Sequence, residues 1–192
     1  KSHTYLGIHG GVNLSTVKFV LPSVNDQVML TSRNLGIIFR HISEPNIGFQ
    51  AEVNLAGKGW EEKNDSAGTY IRRLETIDLP VTAVFVFGTK TLRFSLALGP
   101  YVSYLRDEKE SIKITSPVYT KEYFNVPVEN DWEFGFTGIV GVEFHTKLGV
   151  LGARGSYNHA LTTLFSPQGE KVYFRGSRNQ VINLGLFYMI HL

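Results

Sequence analysis

The amino-acid sequence predicts an all-β fold, an eight-stranded antiparallel up-and-down transmembrane β-barrel. Three observations carry that expectation. Segments of about ten to fourteen residues alternate apolar and polar side chains, which puts one face of each in grease and the other on something polar. The gaps between segments alternate long and short, so one end of the assembly carries loops and the other tight turns. Helical periodicity is nearly absent.

Composition agrees. No Ser/Gly-rich linker, low-complexity tract or block of like charge divides the 192 residues, so one domain over 1–192 is expected. Hydrophobic residues make up 43 %, ample for a lipid-facing belt, yet no apolar run approaches the ~20 residues of a spanning helix. A membrane crossing therefore has to be made with strands. A net charge of +2 is too balanced for a nucleic-acid partner. Without cysteine, neither disulfides nor thiolate metal sites are available. The chain opens at Lys1-Ser2-His3 and is read as mature or trimmed, with any export signal already gone.

The first strand spans about 4–15, with Leu6, Ile8, Val12 and Leu14 on one face and Tyr5, His9 and Asn13 on the other. Residues 16–33 read as a long polar connection. The second strand, 34–42, has the weakest alternation and ends in the tight turn Glu44-Pro45-Asn46. The third, 47–56, sets Ile47, Phe49, Ala51, Val53 and Leu55 against Gln50, Glu52 and Asn54, and residues 57–74 read as a second long loop. The fourth, 75–87, carries Ile77, Leu79, Val81, Ala83, Phe85 and Phe87 in step. Pro80 within it costs a ladder hydrogen bond or marks a bulge.

The fifth strand, 91–105, has the cleanest pattern, with Leu92, Phe94, Leu96, Leu98, Val102 and Tyr104 on one side. The third loop, 106–131, contains alternating Ile112 and Ile114 and suggests a hairpin extending two strands beyond the bilayer. The sixth strand, 132–144, groups Trp132, Phe134, Phe136, Val140, Val142 and Phe144 against Glu133, Thr137 and Glu143. The seventh, 148–161, opposes Leu151, Ala153, Tyr157 and Leu161 to Arg154, Ser156 and Asn158; a fourth loop covers 162–178. The eighth, 179–192, carries Ile182, Leu184, Leu186, Tyr188, Ile190 and Leu192 opposite Asn183, Gly185 and His191, with a less expected Phe187 among them. An even strand number with both termini at the turn end is the outer-membrane arrangement.

Alternation alone does not say which face is inside. A soluble lipocalin-like carrier would turn the apolar face onto a ligand cavity. Aromatics at the ends of the apolar faces favour lipid outside: Phe87, Phe144 and Tyr188 near the turn end, Tyr104, Trp132 and Tyr157 near the loop end. Two such girdles mark two membrane interfaces, against a plain strand preference of aromatic residues. The opposite face carries Glu52, Asp78, Glu133 and Glu143 with Arg93 and Arg154. An eight-stranded barrel is just filled by its side chains, so these charges are expected to form a paired interior network with Arg93 and Arg154 as its cations.

Several stretches resemble a known family. They are Gly7-Ile8-His9-Gly10-Gly11-Val12-Asn13-Leu14-Ser15, Gly48-Phe49-Gln50-Ala51-Glu52-Val53, Ile77-Asp78-Leu79-Pro80-Val81, Leu98-Gly99-Pro100-Tyr101 and the run 149–157. In order and spacing the chain resembles the Bacteroidetes outer-membrane β-barrel family that includes the PorT-like proteins. The resemblance implies an eight-stranded barrel in the outer membrane of a Gram-negative bacterium. For PorT-like members it further implies an association with protein secretion, and no shared catalytic residues. The chain departs from such barrels at its end, where His191-Leu192 stands in place of a terminal aromatic.

Catalytic and metal chemistry find little support. His9 and His191 could approach each other near the turn end, but two histidines rarely suffice for a metal. Ser156 and His159 are close in sequence, as a lipid A-modifying enzyme would need near its rim, yet an odd spacing puts them on opposite faces. Glu52, Glu133 and Glu143 read better as structural ion-pair partners than as an acid/base group. No catalytic residue, cofactor or metal is therefore expected. The expected role is a non-enzymatic, monomeric surface-interaction barrel. Membrane lipid or lipopolysaccharide would surround it, and protein partners would meet loops 16–33, 57–74, 106–131 and 162–178, where aromatics such as Trp60, Tyr119, Tyr123, Phe124, Phe165, Tyr173 and Phe174 fall.

Overall fold

In lipid a backbone donor or acceptor has no water to bond, so each alternating segment must pair on both edges. The structure, a computed structural model, describes residues 2–18, 26–64, 68–114, 128–164 and 178–192. In it β1 (His3–Lys18), β2 (Asp26–Glu44), β3 (Ile47–Asn64), β4 (Gly68–Gly88), β5 (Leu92–Ile114), β6 (Trp132–His145), β7 (Val150–Ala160) and β8 (Arg178–His191) pair antiparallel in chain order. The seam is β1 on β8, from Tyr5↔His191 to Lys18↔Arg178, and it closes the barrel. Both termini lie at the turn end.

The β2–β3 turn is made by Pro45-Asn46. Asn46 takes φ 99°, a conformation that a short polar side chain tolerates better than most. Pro80 leaves the register intact: pairing of β3 with β4 lapses between Ala51↔Val81 and Asn54↔Asp78 and resumes in step. The proline therefore costs ladder bonds rather than inserting a bulge.

The apolar face looks outward. Ile8 is 64 % exposed, Phe136 57 % and Leu186 65 %, while Glu52, Asp78, Glu143 and Arg154 are buried within. A soluble carrier with an oily cavity would have the reverse arrangement, so that alternative is set aside. From Ile77 to Phe87 the outward stripe of β4 runs eleven residues, or ten steps along the strand. At ~3.3 Å per residue and a tilt of ~40° this spans ~25 Å, the height of an outer-membrane apolar band.

The strands outrun the expected ones at the loop end. Residues 57–74, anticipated as a loop, are mostly ladder, paired from Gly57↔Glu75 to Asn64↔Gly68. Residues 106–114, anticipated within a loop whose hairpin extends two strands beyond the bilayer, continue β5 and pair with β4 as far as Gly68↔Ile114. Residues 26–33 belong to β2. The 23 residues of β5 contrast with the 11 of β7, so the wall formed by β3, β4 and β5 rises past the opposite rim. Beyond the lipid band the outward positions are mostly charged or polar (Arg73, Glu75, Asp107, Lys109), because the outer face meets water there while the inner face stays buried. Tyr119, Tyr123, Phe124, Phe165, Tyr173 and Phe174 lie outside the described residues.

Close strand approach at the seam depends on glycine. A Cβ on Gly11 would stand 2.2 Å from the Leu184 carbonyl oxygen and 2.7 Å from Gly185 Cα. Backbone cannot yield there without parting β1 from β8. Gly11→Val is expected to abolish the compact, heat-resistant band on an unboiled gel after refolding in detergent; a variant that still migrates as the folded form would contradict this account of closure.

Candidate functional site

The interior is a stack of three zones. At the turn end an apolar plug joins Tyr5, Ile38, Val150, Phe187 and Met189, and Val84, Val86, Ala97 and Ile139 form a second cluster; both touch Ile42. Phe187, out of place in the sequence pattern, is buried in that plug, and the missing side chain of Gly152 makes room for its ring. At the loop end Val17, Trp60, Tyr70, Leu74, Val128 and Leu164 form another plug. Trp60, anticipated on a loop, is therefore an inward core residue. Between the plugs lies a polar layer.

Ion pairs cross that layer from wall to wall. Arg154 of β7 grips Glu52 of β3 with two bonds, Nη1 to Oε1 at 2.8 Å and Nη2 to Oε2 at 3.1 Å. Asn54 and Gln50 donate to the same carboxylate at 3.0 and 2.6 Å. Arg40 of β2 donates to Glu143 of β6 at 2.5 Å and to Gln50 at 2.7 Å, which joins the two pairs into one chain. In a ring of eight, β2 faces β6 and β3 faces β7, so these contacts span the full lumen. Nearer the loop end, Lys58 Nζ lies 2.9 Å from Asp78 Oδ1 and 3.0 Å from Glu133 Oε1. Tyr101, 2.8 Å away, and Asn179 donate to Glu133, and Thr76 and Ser103 donate to Asp78. Higher still, Arg72 pairs with Glu108 and Glu110 and lies 5.6 Å over the Trp60 ring.

Glu52, Asp78, Glu133, Glu143 and Arg154 thus sit in this layer. Arg93 does not: it is half-buried at the turn-end mouth, and its Nε donates to the Thr89 carbonyl at 3.2 Å. In the β5–β6 register Arg93 stands directly across from Glu143, but its side chain turns back onto the turn instead of entering the lumen. The partner of Glu143 is Arg40 instead. Arg40, Lys58 and Arg72 went unrecognised in the sequence, the first on the weakest strand and the other two in an assumed loop. The available signal was parity, since Lys58 continues the even positions of Gln50, Glu52 and Asn54.

The other candidates separate. His9 Nε2 is 2.7 Å from Asn54 Oδ1 deep in the lumen, whereas His191 bonds His3 at 3.0 Å at the turn end, so the two never share a site. Among the described residues no cluster of three or more His, Asp or Glu side chains is arranged for a metal. Ser156 occupies an inward position, and His159 stacks on Tyr157 of the outer face. Phe87, Tyr104, Trp132, Phe144, Tyr157 and Tyr188 all present exposed rings to the exterior, with Tyr104 and Trp132 at 5.0 Å and Phe87 and Phe94 at 5.9 Å. On the protruding wall a hydrogen bond from Lys109, 2.8 Å away, holds the Asp107 carboxyl below its usual range; both are exposed and screened.

A model of the outer membrane protein beta-barrel domain family matches residues 3–166. The chain belongs to that family. It is an outer-membrane β-barrel protein of a Gram-negative bacterium. Its fold is similar to that of the outer membrane protein OprG from Pseudomonas aeruginosa, with TM-score 0.61 and 11 % identity over 99 % of this chain and 97 % of that one. Neisserial surface protein A aligns with TM-score 0.49 and 13 % identity, covering 96 % of each chain. The attachment invasion locus protein of Yersinia pestis aligns with TM-score 0.48 and 11 % identity, over 97 % of this chain and 98 % of that one. No curated protein matches the sequence.

Removing one partner of a buried pair strands the other charge, at ~3–5 kcal/mol. Arg154→Met is expected to destabilise the barrel by about that much in urea unfolding from lipid vesicles, read by tryptophan fluorescence. The double variant Glu52→Gln, Arg154→Met should be less destabilised than Arg154→Met alone. Additive losses would show that the two groups do not form a coupled pair.

Proposed function

We propose that this outer-membrane barrel is a non-enzymatic, monomeric surface-interaction protein. Its transmembrane part is a sealed anchor, and its protruding β3–β4–β5 wall, with the segments at that end, meets protein partners outside the cell. The observation that carries this reading is the continuation of paired ladder beyond the lipid band, which holds a rigid charged surface clear of the bilayer. Cross-lumen ion pairs between two apolar plugs argue against solute passage, since an eight-stranded barrel has no spare width. Separation of Ser156 from His159 argues against a hydrolase at the rim.

In this reading Phe87, Phe144 and Tyr188 anchor the barrel at the periplasmic interface, and Tyr104, Trp132 and Tyr157 at the outer one. The PorT-like resemblance supports a role as an accessory to protein secretion. Loss of the gene would then lower the amount of exported protein in the medium.

Two measurements test the proposal. Refolded protein in a planar bilayer is expected to show no stepwise conductance; discrete channels would reverse the sealed-anchor reading. Cross-linking in native membranes should capture protein partners of the parent, and replacing residues 115–127 with Gly/Ser of equal length should preserve the heat-resistant folded band while abolishing those cross-links. If the same cross-links persist with that segment replaced, the partner surface lies elsewhere.

A further inference from the structure

The outer wall carries a feature that neither the sealed lumen nor a protein partner explains. A groove of about 580 Å³ opens across β2, β3 and β4, and its lining includes Arg33, Arg73 and Arg106. All three are exposed, and among the described residues none makes a direct ion pair; Asp107, beside Arg106 and within its field, is bound to Lys109 instead. The groove's one carboxylate, Glu75, is 3.5 Å from Lys109 and so is already partly neutralised. The lower lip is apolar, formed by Leu35 and Leu55.

The height of these residues matters. Arg33 is the next outward position after Leu35 on β2, and Arg73 lies two outward positions beyond Ile77 on β4. Arg106 follows Tyr104 by two residues, next to the register shift at Glu75/Thr76. The three guanidinium groups therefore sit where the lipid-facing stripe ends, at the level of headgroups. Directly below them a second crevice, about 230 Å³, is lined only by Ile77, Leu79, Val102, Tyr104 and Trp132. Ile77 pairs with both Leu55 and Tyr104, so the two hollows adjoin across β4.

We infer that this wall is a binding site for one phosphorylated lipid of the outer leaflet, whose phosphates sit among Arg33, Arg73 and Arg106 and whose acyl chain lies in the Ile77–Trp132 crevice. Guanidinium groups bind phosphate oxygens in pairs, and unpartnered arginines at a membrane boundary are suited to an anionic headgroup. A free phosphate would not use the greasy crevice beneath, and a protein partner would not reach the part of it sunk in the bilayer. The site rests on the outward face meeting lipid and is independent of what the loop end binds.

Native mass spectrometry of the full chain in detergent tests this, with bisphosphorylated hexa-acyl lipid A, its dephosphorylated form and inorganic phosphate as probes. Parent protein should retain one bisphosphorylated lipid A, and the triple variant R33Q/R73Q/R106Q should bind it about tenfold or more weakly. Dephosphorylated lipid A should bind the parent as weakly as the phosphorylated form binds that variant, and millimolar inorganic phosphate should not displace the lipid. K90Q/K147Q, at the opposite end of the barrel, should bind like the parent, which separates a site from general charge attraction. R106E alone, read against the folded band on an unboiled gel, gives the same ordering if the triple variant does not fold. Equal retention by parent and triple variant, equal binding of dephosphorylated lipid A, displacement by phosphate, or a matching loss in K90Q/K147Q would each overturn the inference.

Discussion

In a bilayer the backbone has no solvent to bond with, and the rest of this molecule follows from that. An unpaired amide in hydrocarbon costs several kcal/mol, so β1 must find β8 and the sheet must close. Closure with eight strands leaves a lumen only as wide as its side chains. Every polar group on the inward face is then as deprived of water as the backbone is. The charges therefore bridge opposite walls: Arg40 to Glu143, Arg154 to Glu52, Lys58 to Glu133. Glycine serves the same end at the seam, where Gly11 faces Gly185 and the strands approach too closely for side chains.

The same ladder passes through two solvents. Below the level of Ile77 the outer face is aliphatic and aromatic; above it Glu75 and Arg73 take the outward positions while Leu74, Arg72 and Tyr70 remain buried inside. Water on the outside relaxes the requirement for apolar residues but not the requirement for pairing, since the ladder continues to Asn64↔Gly68. Inward burial of Trp60, Tyr70 and Leu74 holds the extension together where lipid no longer does. That is why β3, β4 and β5 stay paired beyond the membrane instead of parting into loop.

This change of solvent also explains what the sequence did and did not disclose. Within the band the apolar stripe alternates with good contrast in every strand but the second, so the eight strands, their order and the outward sense of the stripe are legible, most plainly in Leu92–Tyr104 and Trp132–Phe144. Beyond the band the outward residues turn polar, the contrast falls, and residues 57–74 look like a charged loop although 57–64 and 68–74 are strand. Lys58 and Arg72 were lost for that reason. Arg40 was lost because Ile37 and Ile38 are adjacent apolar residues on opposite faces and blur the period of β2. Arg93 differs for another reason: parity gives its face and even its neighbour Glu143, but not the direction its side chain takes, and that carboxylate is held by Arg40 and His145 while Arg93 bonds the Thr89 carbonyl.

A lumen filled by its own charge neutralisation has little left to offer a ligand. Its charged groups are largely spent on each other, although atoms such as His9 Nδ1 and Arg154 Nε keep no hydrogen-bond partner: the Glu52 carboxylate alone accepts from Arg154, Asn54 and Gln50. Opening a path through it would break several cross-wall pairs at once, each expensive to leave unpaired. Specificity in so narrow a barrel is consequently written on the outside, in the chemistry of the outward wall at each depth. Here that wall reads, from turn end to loop end, as aromatic, aliphatic, aromatic and then charged, and the last boundary, with Arg33, Arg73 and Arg106 on it, is where an amphipathic molecule with an anionic head and a greasy tail is matched at both ends.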